Sequence, residues 1–233
     1  MDLLATTAAA WGLQLDQSQL DQFATYAAEL RRWNERINLT AISDDCEIAV
    51  RHFLDSLRCA LSWGTAPTSL IDVGAGGGFP GLPLKILRPE LRLTLVESVE
   101  KKAAFLRHTV AELSLGDVSI IVDRAEKVGR AHMHREQYDV AVARAVAKLR
   151  VLAEYCLPFC RIGGCFLAPK GAQITGELAD AQKAIERLGG RFIALEDVDL
   201  PGVERRTLVV VEKIGPTPPQ YPRGVGVPAK RPL

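Results

Sequence analysis

Seven short apolar runs between residues 69 and 212 constrain the fold of this chain more than any other feature. Each run is rich in β-branched residues, and longer helical patterns separate most of them. Strands that alternate with helices indicate βαβ units, and therefore a mostly parallel sheet with helices on both faces. The runs are 69–73, 91–97, 117–123, 138–143, 163–168, 191–198 and 206–212.

The last two runs depart from this pattern, because only residues 199–205 lie between them. That connection is too short for a crossover helix, so we expect the sixth and seventh strands to pair antiparallel. The sequence thus predicts an α/β fold with a seven-stranded, mostly parallel sheet and an antiparallel last strand at the sheet edge. This architecture resembles the Rossmann-like fold of class I S-adenosylmethionine-dependent methyltransferases, although an analogy of fold does not prove function.

The N-terminal part of the chain carries two helical patterns. The first covers residues 18–37, with Ser18 as its expected N-cap. The second begins at a capping pair, Asp44 and Glu47, and runs to about Trp63.

The composition of the two ends differs from that of the middle. Residues 214–233 contain six prolines, three bases and no acid, a composition typical of an extended tail. We expect three parts, which are an N-terminal helical extension packed on the core (1–68), a methyltransferase domain (69–213) and a Pro-rich basic C-terminal tail (214–233).

Charge and cysteine usage exclude several classes of protein. The formal net charge is +1, so the whole chain is not a uniformly basic nucleic-acid binder. No apolar run approaches the ~20 residues that span a bilayer, and Asp2 lies where a signal peptide needs bases. Five cysteines without a C-x-x-C pair fit neither a disulfide framework nor a zinc ribbon, and we interpret them as small buried side chains. We therefore expect a cytoplasmic protein without a metal site.

Glycine occupies five of the eight positions in Gly74–Gly81, directly after the first predicted strand. Glycines let the backbone turn sharply and let a ligand approach closely at the switch point of a doubly wound sheet. Counted from Asp72, the loop matches the D-x-G-x-G-x-G pattern of methyltransferases. Counted from Gly76, it matches the G-x-G-x-x-G pattern of dinucleotide-binding enzymes. Pro80 and Pro83 lack the amide hydrogens that a pyrophosphate needs there, which weakens the second interpretation.

Polar residues follow the next strands at the same rim of the sheet. Glu97 ends the second predicted strand, where an acid can accept hydrogen bonds from ribose hydroxyls of either ligand. The segment 123–126 follows the third strand and could hold an adenine edge. Taken alone, each of these acids is explained equally well as a ligand contact or as a solvated charge on a loop.

The loop after the fourth predicted strand contains no Asn-Pro-Pro-Tyr motif for methylation of an exocyclic amine, and no cysteine is placed to attack a pyrimidine. A guanine N7 already has a free lone pair, so its methylation needs alignment with a sulfonium methyl group but no general base. Arg144 is the leading candidate for positioning the guanine, and Lys170 and Arg51 are further candidate cations.

Eight ordered blocks of sequence resemble the bacterial small-subunit ribosomal RNA methyltransferase G family, also called glucose-inhibited division protein B. The blocks are 34–42 (NERINLTAI), 51–57 (RHFLDSL), 72–84 (DVGAGGGFPGLPL), 97–98 with 101–102 and 105–106, 124–126, 144–147, 170–171, and 221–223 with Gly226 and Pro228. The resemblance extends from Asn34 to the C-terminus. Ala75 and Ala143 depart from it, because members often have a hydroxyl residue at these positions.

The resemblance implies methylation of guanine N7 in the helix 18 (530) loop of 16S ribosomal RNA, with S-adenosyl-L-methionine as the methyl donor. It implies 16S rRNA, the small ribosomal subunit or its assembly intermediate as the partner, and we expect a monomer that does not bind a membrane. On the matching positions, the family's cofactor contacts fall at Gly74, Phe79, Glu97, Ser98, Val99, Ala125, Glu126 and Arg144.

Two other functions stay open on the sequence alone. The match of Gly76, Gly78 and Gly81 to the dinucleotide pattern leaves a nicotinamide-dependent oxidoreductase possible, and a noncatalytic RNA-binding module could retain the same fold. For an RNA partner, the basic tail with Arg223 is a candidate contact, together with Lys230 and Arg231. We expect loss of the tail to weaken RNA binding more than cofactor binding.

Overall fold

The computed structural model describes residues 1–63, 67–144 and 147–233. A single seven-stranded sheet has the order β3-β2-β1-β4-β5-β7-β6. The strands are β1 (Ser69–Val73), β2 (Arg92–Glu97), β3 (Val118–Val122), β4 (Tyr138–Val142), β5 (Cys160–Gly171), β6 (Gly190–Val198) and β7 (Arg206–Lys213). All seven predicted strands are present, so the expected fold class is confirmed.

Strands β1 to β5 pair in parallel, whereas β7 runs antiparallel between β5 and β6. The predicted antiparallel pairing of the last two strands is therefore confirmed. The expectation that the last strand lies at the sheet edge is wrong, because β6 forms that edge. The side chains from Thr207 to Val211 are all buried, while most of β6 is exposed, so the apolar strand takes the position with two neighbours.

Helices cover both faces of the sheet. They are α1 (Asp2–Ala10), α2 (Gln17–Asn34), α3 (Asp45–Ile48), α4 (Asp55–Leu57), α5 (Gly81–Leu87), α6 (Glu100–Glu112), α7 (Ala125–Val128), α8 (Leu149–Cys156), α9 (Thr175–Arg187) and α10 (Val227–Lys230). A π-helical stretch, Ala49–Leu54, joins α3 to α4, and a 3-10 turn, Arg58–Leu61, follows α4. Within the described ranges, every helix is too short or too polar to cross a bilayer.

The N-terminus of α2 differs from the sequence prediction. Asp16, and not Ser18, is the N-cap, and its carboxylate accepts a hydrogen bond from the Gln19 amide at 2.8 Å. The Gln19 side chain accepts in return from the Asp16 amide, which completes a capping box. The same side chain donates to the carbonyl of Ile86 at 2.8 Å, so the cap also attaches α2 to the end of α5.

Asp44 is the N-cap of α3, as predicted, and accepts hydrogen bonds from the amides of Cys46 and Glu47. The Glu47 side chain forms an ion pair with Arg51 at 3.3 Å. The helical segment that begins here runs without interruption to Leu61, close to the predicted end at Trp63.

The N-terminal helices pack on the face of the sheet that α5 and α6 also cover. Phe23, Leu30 and Phe53 are fully buried there, in one apolar cluster with Leu82 and Phe105. A second cluster on the opposite face contains apolar residues of α8 and α9 with Phe159 and Tyr221. The helical extension is therefore packed directly against the elements that carry the glycine loop.

The cysteines are free thiols, and the interpretation as buried side chains holds for Cys59, Cys156 and Cys160. It is wrong for Cys46, which is exposed in the first turn of α3. Within the part of the chain that the structure describes, no group of three possible metal ligands is present.

Candidate active site

Two adjoining cavities lie at the carboxyl ends of the parallel strands, beside the point where the strand order reverses at β1 and β4. The larger cavity has a volume of about 380 Å³, and the smaller one of about 80 Å³. Gly74 and Ser98 line both, so the two form one cleft. The larger cavity is lined by Leu39, His52, Gly74, Ala75, Gly76, Gly77, Phe79, Glu97, Ser98, Val99, Lys102 and Arg144.

The glycine loop forms the floor of the larger cavity in a conformation that few other residues adopt. Gly74, Gly76 and Gly78 have φ values of 75°, 57° and 90°. A Cβ atom on Gly78 would lie 2.5 Å from the Tyr26 hydroxyl. A Cβ atom on Gly76 would have only the Gly74 carbonyl oxygen nearby, at 3.8 Å. The loop therefore leaves space beside Gly76 for a ligand that approaches the backbone.

The first turn of α5 has no unused amide hydrogen. The Gly81 amide donates to Asp72 Oδ2 at 2.8 Å, and the Leu82 amide donates to the carbonyl of Gly78 at 2.8 Å. Pro83 has no amide hydrogen, and Leu84 closes the first helical turn. A pyrophosphate needs free amides at a helix N-terminus. This geometry argues against the dinucleotide alternative.

Glu97 connects two loops of the cleft. Its Oε2 accepts a hydrogen bond from the Gly76 amide at 2.9 Å, and its Oε1 accepts from the Val99 amide at 2.8 Å. The side chain is buried. Each carboxylate oxygen can accept a second hydrogen bond, so Glu97 can still bind ligand hydroxyls while it fixes both loops.

An aromatic wall from the N-terminal helices supports the loop. Phe79 stacks on His52 with ring centroids 4.4 Å apart and on Tyr26 at 5.3 Å. The Tyr26 hydroxyl donates to the carbonyl of Gly77, and Phe53 packs against Tyr26. The helical extension thus forms part of the cleft itself.

Arg144 follows β4 and is held from several sides. Its Nη1 donates to Asp55 Oδ2 and to the carbonyl of Arg51, both at 3.0 Å, and its guanidinium carbon lies 4.8 Å from the centre of the Phe79 ring. Asp55 is buried and also accepts from Arg206 at 3.2 Å. The cation expected to position a substrate is therefore a fixed part of the cavity wall. The residues after it, at 145 and 146, lie outside the described ranges.

His52 is a neutral member of the same network. Its Nδ1 lies 3.0 Å from Arg144 Nη2, which can only donate, and its Nε2 lies 2.8 Å from Thr40 Oγ1. Burial, together with the Arg144 charge, lowers the pKa of His52 to about 3. The ring therefore accepts from Arg144 and donates to Thr40 at neutral pH.

The two further candidate cations lie outside the cleft wall. Lys170 donates to the carbonyl of Ala147 at 2.9 Å and pairs with Glu177 at 2.7 Å, and only 13% of its side chain is exposed. It therefore fixes the loop before α8 and does not project into either cavity. The Arg51 side chain is exposed and pairs with Glu47 on the helix surface.

The smaller cavity is built after β3. It is lined by Val73, Gly74, Val96, Ser98, Asp123, Arg124, Ala125, Glu126 and Tyr155. Glu126 is almost fully buried, and its Oε1 accepts a hydrogen bond from the Gly226 amide at 2.8 Å. Its Oε2 accepts no hydrogen bond from the described residues, and it forms an ion pair with Arg124, whose Nε lies 3.5 Å away. Contact with Gly226 shows that residues 214–233 do not form the extended tail that their composition suggested.

The sequence predicted the glycine loop that forms the floor of the cleft, but it did not predict much of the wall. Tyr26, Asp55 and Tyr155 were not candidates, although all three are buried. Asp55 carried one signal, since it is an acid that directly follows the apolar residues Phe53 and Leu54. Lys102, in one of the resembling blocks, lines the larger cavity.

A family model described as rRNA small subunit methyltransferase G matches residues 19–203. Curated proteins named ribosomal RNA small subunit methyltransferase G are similar over nearly the whole chain. One from Roseiflexus sp. (strain RS-1) is 67% identical over 100% of both chains. One from Chloroflexus aggregans is 54% identical over 99% of this chain and 97% of its own.

Solved structures of lower sequence identity share the fold. M. jannaschii TYW2 in complex with AdoMet has a TM-score of 0.55 at 15% identity, and covers 77% of this chain and 80% of its own. Precorrin-6y C5,15-methyltransferase from Geobacter metallireducens has a TM-score of 0.50 at 14% identity, with 76% and 91% covered. The family model and the full-length relatives establish that the chain belongs to the rRNA small subunit methyltransferase G family.

Proposed function

We propose that this protein transfers a methyl group from S-adenosylmethionine to N7 of a guanine in the helix 18 (530) loop of 16S rRNA. One observation carries the choice of atom. Two of the described residues that line the larger cavity, Glu97 and His52, could act as a general base, and neither suits that role. Burial and the Arg144 charge lower the pKa of His52 to about 3, and the free capacity of Glu97 is assigned to ribose hydroxyls of the donor.

The cleft fits the methyl donor. Its larger cavity is within the volume range of small-molecule sites, about 300–1,000 Å³. A side chain at position 76 would occupy the space that the glycine loop leaves for the donor. We assign the amino acid part of the donor to Gly74, Phe79 and Arg144, and its ribose to Glu97. We assign the adenine of the donor to the smaller cavity and its rim. The assigned contacts there are Ser98, Val99, Ala125 and Glu126.

When bound, S-adenosylmethionine supplies an electrophilic methyl group on a positively charged sulfur. Guanine N7 attacks that methyl carbon with its own lone pair, the carbon–sulfur bond breaks, and its electron pair stays on sulfur. No proton leaves N7, so no general base is required. The chain contributes alignment of the two reactants, which is the main source of rate in such a step.

The rigid wall described above suits this task. Arg144 is held by Asp55, His52 and the Phe79 ring, so it does not need to reorganise when the substrate arrives. His52 remains neutral beside it, because burial disfavours a charged ring and the Arg144 charge would repel it.

Two matched glycine variants test the assignment of the cleft. Gly76→Ala and Gly202→Ala both place a side chain at positive φ, 57° and 67°, where the backbone strain is about 1–2 kcal/mol. Of these two glycines, only Gly76 lines the cavity. A Cβ on Gly202 has no atom within 4 Å, so this control variant changes the backbone strain and adds no contact. We expect both variants to lose similar stability and only Gly76→Ala to lose binding of S-adenosylmethionine in calorimetric titration.

The reaction is tested with purified protein, labelled S-adenosylmethionine and either undermethylated small subunits or their 16S RNA. We expect the protein to transfer one methyl group per RNA. We expect no transfer when the target guanine is replaced by 7-deazaguanine, which lacks N7. Transfer to the 7-deaza substrate, or no transfer to either form of the RNA, would refute the proposed function.

A further inference from the structure

The C-terminal segment, residues 214–233, is attached to the connection between β3 and β4 by a series of hydrogen bonds. Arg135 donates to the carbonyls of Thr217 and Tyr221, both at 2.7 Å. Arg130 donates to the carbonyl of Pro222 at 2.7 Å. The Tyr221 side chain is buried in the core. The segment therefore has a defined path across the protein surface.

This path leads to α8 through a buried ion pair. Glu154 is fully buried in α8, and it accepts hydrogen bonds from the amide of Arg223 at 2.8 Å and from its Nε at 2.9 Å. The hydrogen bond to Glu154 raises the pKa of Arg223, so its guanidinium stays charged. The next residue in α8, Tyr155, lines the smaller cavity. Arg223, a candidate RNA contact, thus neutralises a buried carboxylate, while 25% of its side chain stays exposed.

Three residues further along, the segment contacts the cavity wall itself. The Gly226 amide donates to Glu126 Oε1 at 2.8 Å. The other oxygen, Oε2, forms an ion pair with Arg124, whose Nε lies 3.5 Å away, and accepts no hydrogen bond from the described residues. Gly129 marks equally close packing, since a Cβ there would lie 3.2 Å from Pro222 Cγ. Because the distance to Arg124 is longer than a hydrogen bond, Oε2 keeps the capacity to accept one from a ligand.

We propose that residues 214–233 are a positioning element of the ligand site, which holds Glu126 so that its Oε2 accepts a hydrogen bond from an amino group on the base of the bound nucleoside. The inference rests on the proposed function and deepens it, because it assigns the selection of an amino-substituted purine to a segment outside the sheet. Arg223 and Gly226 act through Glu126 and Tyr155 and are positioning residues. They do not contact the ligand.

The ion pair can be removed without leaving a buried charge in the double variant Arg223→Met with Glu154→Met. Its matched control is Lys230→Met with Arg231→Met, which removes two exposed cations of the same segment. The probes are S-adenosylhomocysteine and its analogue with hydrogen in place of the purine 6-amino group. Their dissociation constants are measured by calorimetry with the full chain.

We expect the wild-type protein to prefer the amino-substituted probe by about tenfold, as for a hydrogen bond to a charged group. The ion-pair double variant should lose most of this preference and bind the 6-hydrogen analogue as the wild type does, while the control variant keeps it. If the double variant does not fold, Glu126→Gln provides the test. Its amide places a donor against the ligand's amino group, and the same preference should disappear.

Equal weakening of both probes in the double variant would show that the segment only stabilises the fold, and would overturn the inference, as would an unchanged preference. Failure of the proposed function has a different signature, in which the wild-type protein binds neither probe.

Discussion

Asp72, at the end of β1, carries a carboxyl group whose charge the fold disfavours. The side chain is completely buried, and burial raises its pKa from 3.8 to about 7. Its Oδ2 accepts from the Gly81 amide, and its Oδ1 has no hydrogen-bond partner in the described ranges. Asp72→Asn keeps an acceptor for the Gly81 amide and removes the titration. We predict that the free energy of unfolding of Asp72→Asn, relative to that of the wild type, increases as pH rises.

The magnitude follows from the difference between the two pKa values. Between pH 3.8 and about 7, the unfolded chain releases this proton and the folded chain retains it. Folding stability of the wild type therefore falls with rising pH through this window and levels off above pH ~7. At about 1.4 kcal/mol per unit of pKa, the expected loss from this group between pH ~5 and pH ~8 is about 2.5 kcal/mol.

The assay is urea unfolding of the wild type and Asp72→Asn at several pH values between pH ~5 and pH ~8. The control is Asp180→Asn, which changes an exposed aspartate in α9. We expect the free energy of unfolding of Asp72→Asn, relative to the wild type, to increase by about 2.5 kcal/mol across this range, and that of the control to stay constant. A constant difference for Asp72→Asn as well would refute the reasoning.

Three further predictions concern the wall of the cleft. Tyr26→Phe removes the hydroxyl that donates to the glycine loop, and we expect a loss of about 1 kcal/mol in urea unfolding; unchanged stability would mean that this contact contributes nothing. Asp55→Ala leaves two buried or half-buried guanidinium groups without their acid and should cost about 3 kcal/mol, against less than about 1 kcal/mol for Asp197→Ala in an exposed pair. The ring signals of His52 should not titrate above pH ~5 in NMR spectra, because its pKa is about 3; a midpoint near pH ~6.5 would show that the buried network is wrong.

The sequence was sufficient for features that depend on local pattern. The run SLIDV predicted β1 with the observed bounds, and the glycines after it predicted a ligand loop at the correct edge of the sheet. The order of β6 and β7 was not predictable in the same way. A short connection fixes antiparallel pairing, but the choice of which strand lies inside depends on burial against β5, which is a contact between distant parts of the chain.

Long-range contacts also explain which site residues were missed. Arg144 was the leading candidate cation, but its partner Asp55 is far away in sequence. Composition was misleading for the last segment. Its prolines and bases are typical of a mobile tail, whereas Arg223 finds a buried acid and Gly226 a wall residue of the cleft. A charge count cannot show whether a cation is already paired.

The most direct test of the account is mass mapping of 16S rRNA from cells that lack this protein, compared with cells in which the wild type or Gly76→Ala is restored. We predict that one 7-methylguanosine in the helix 18 loop is absent without the protein, returns with the wild type and does not return with Gly76→Ala. A 16S rRNA with all of its methylguanosines intact in the absence of the protein would contradict the central claim.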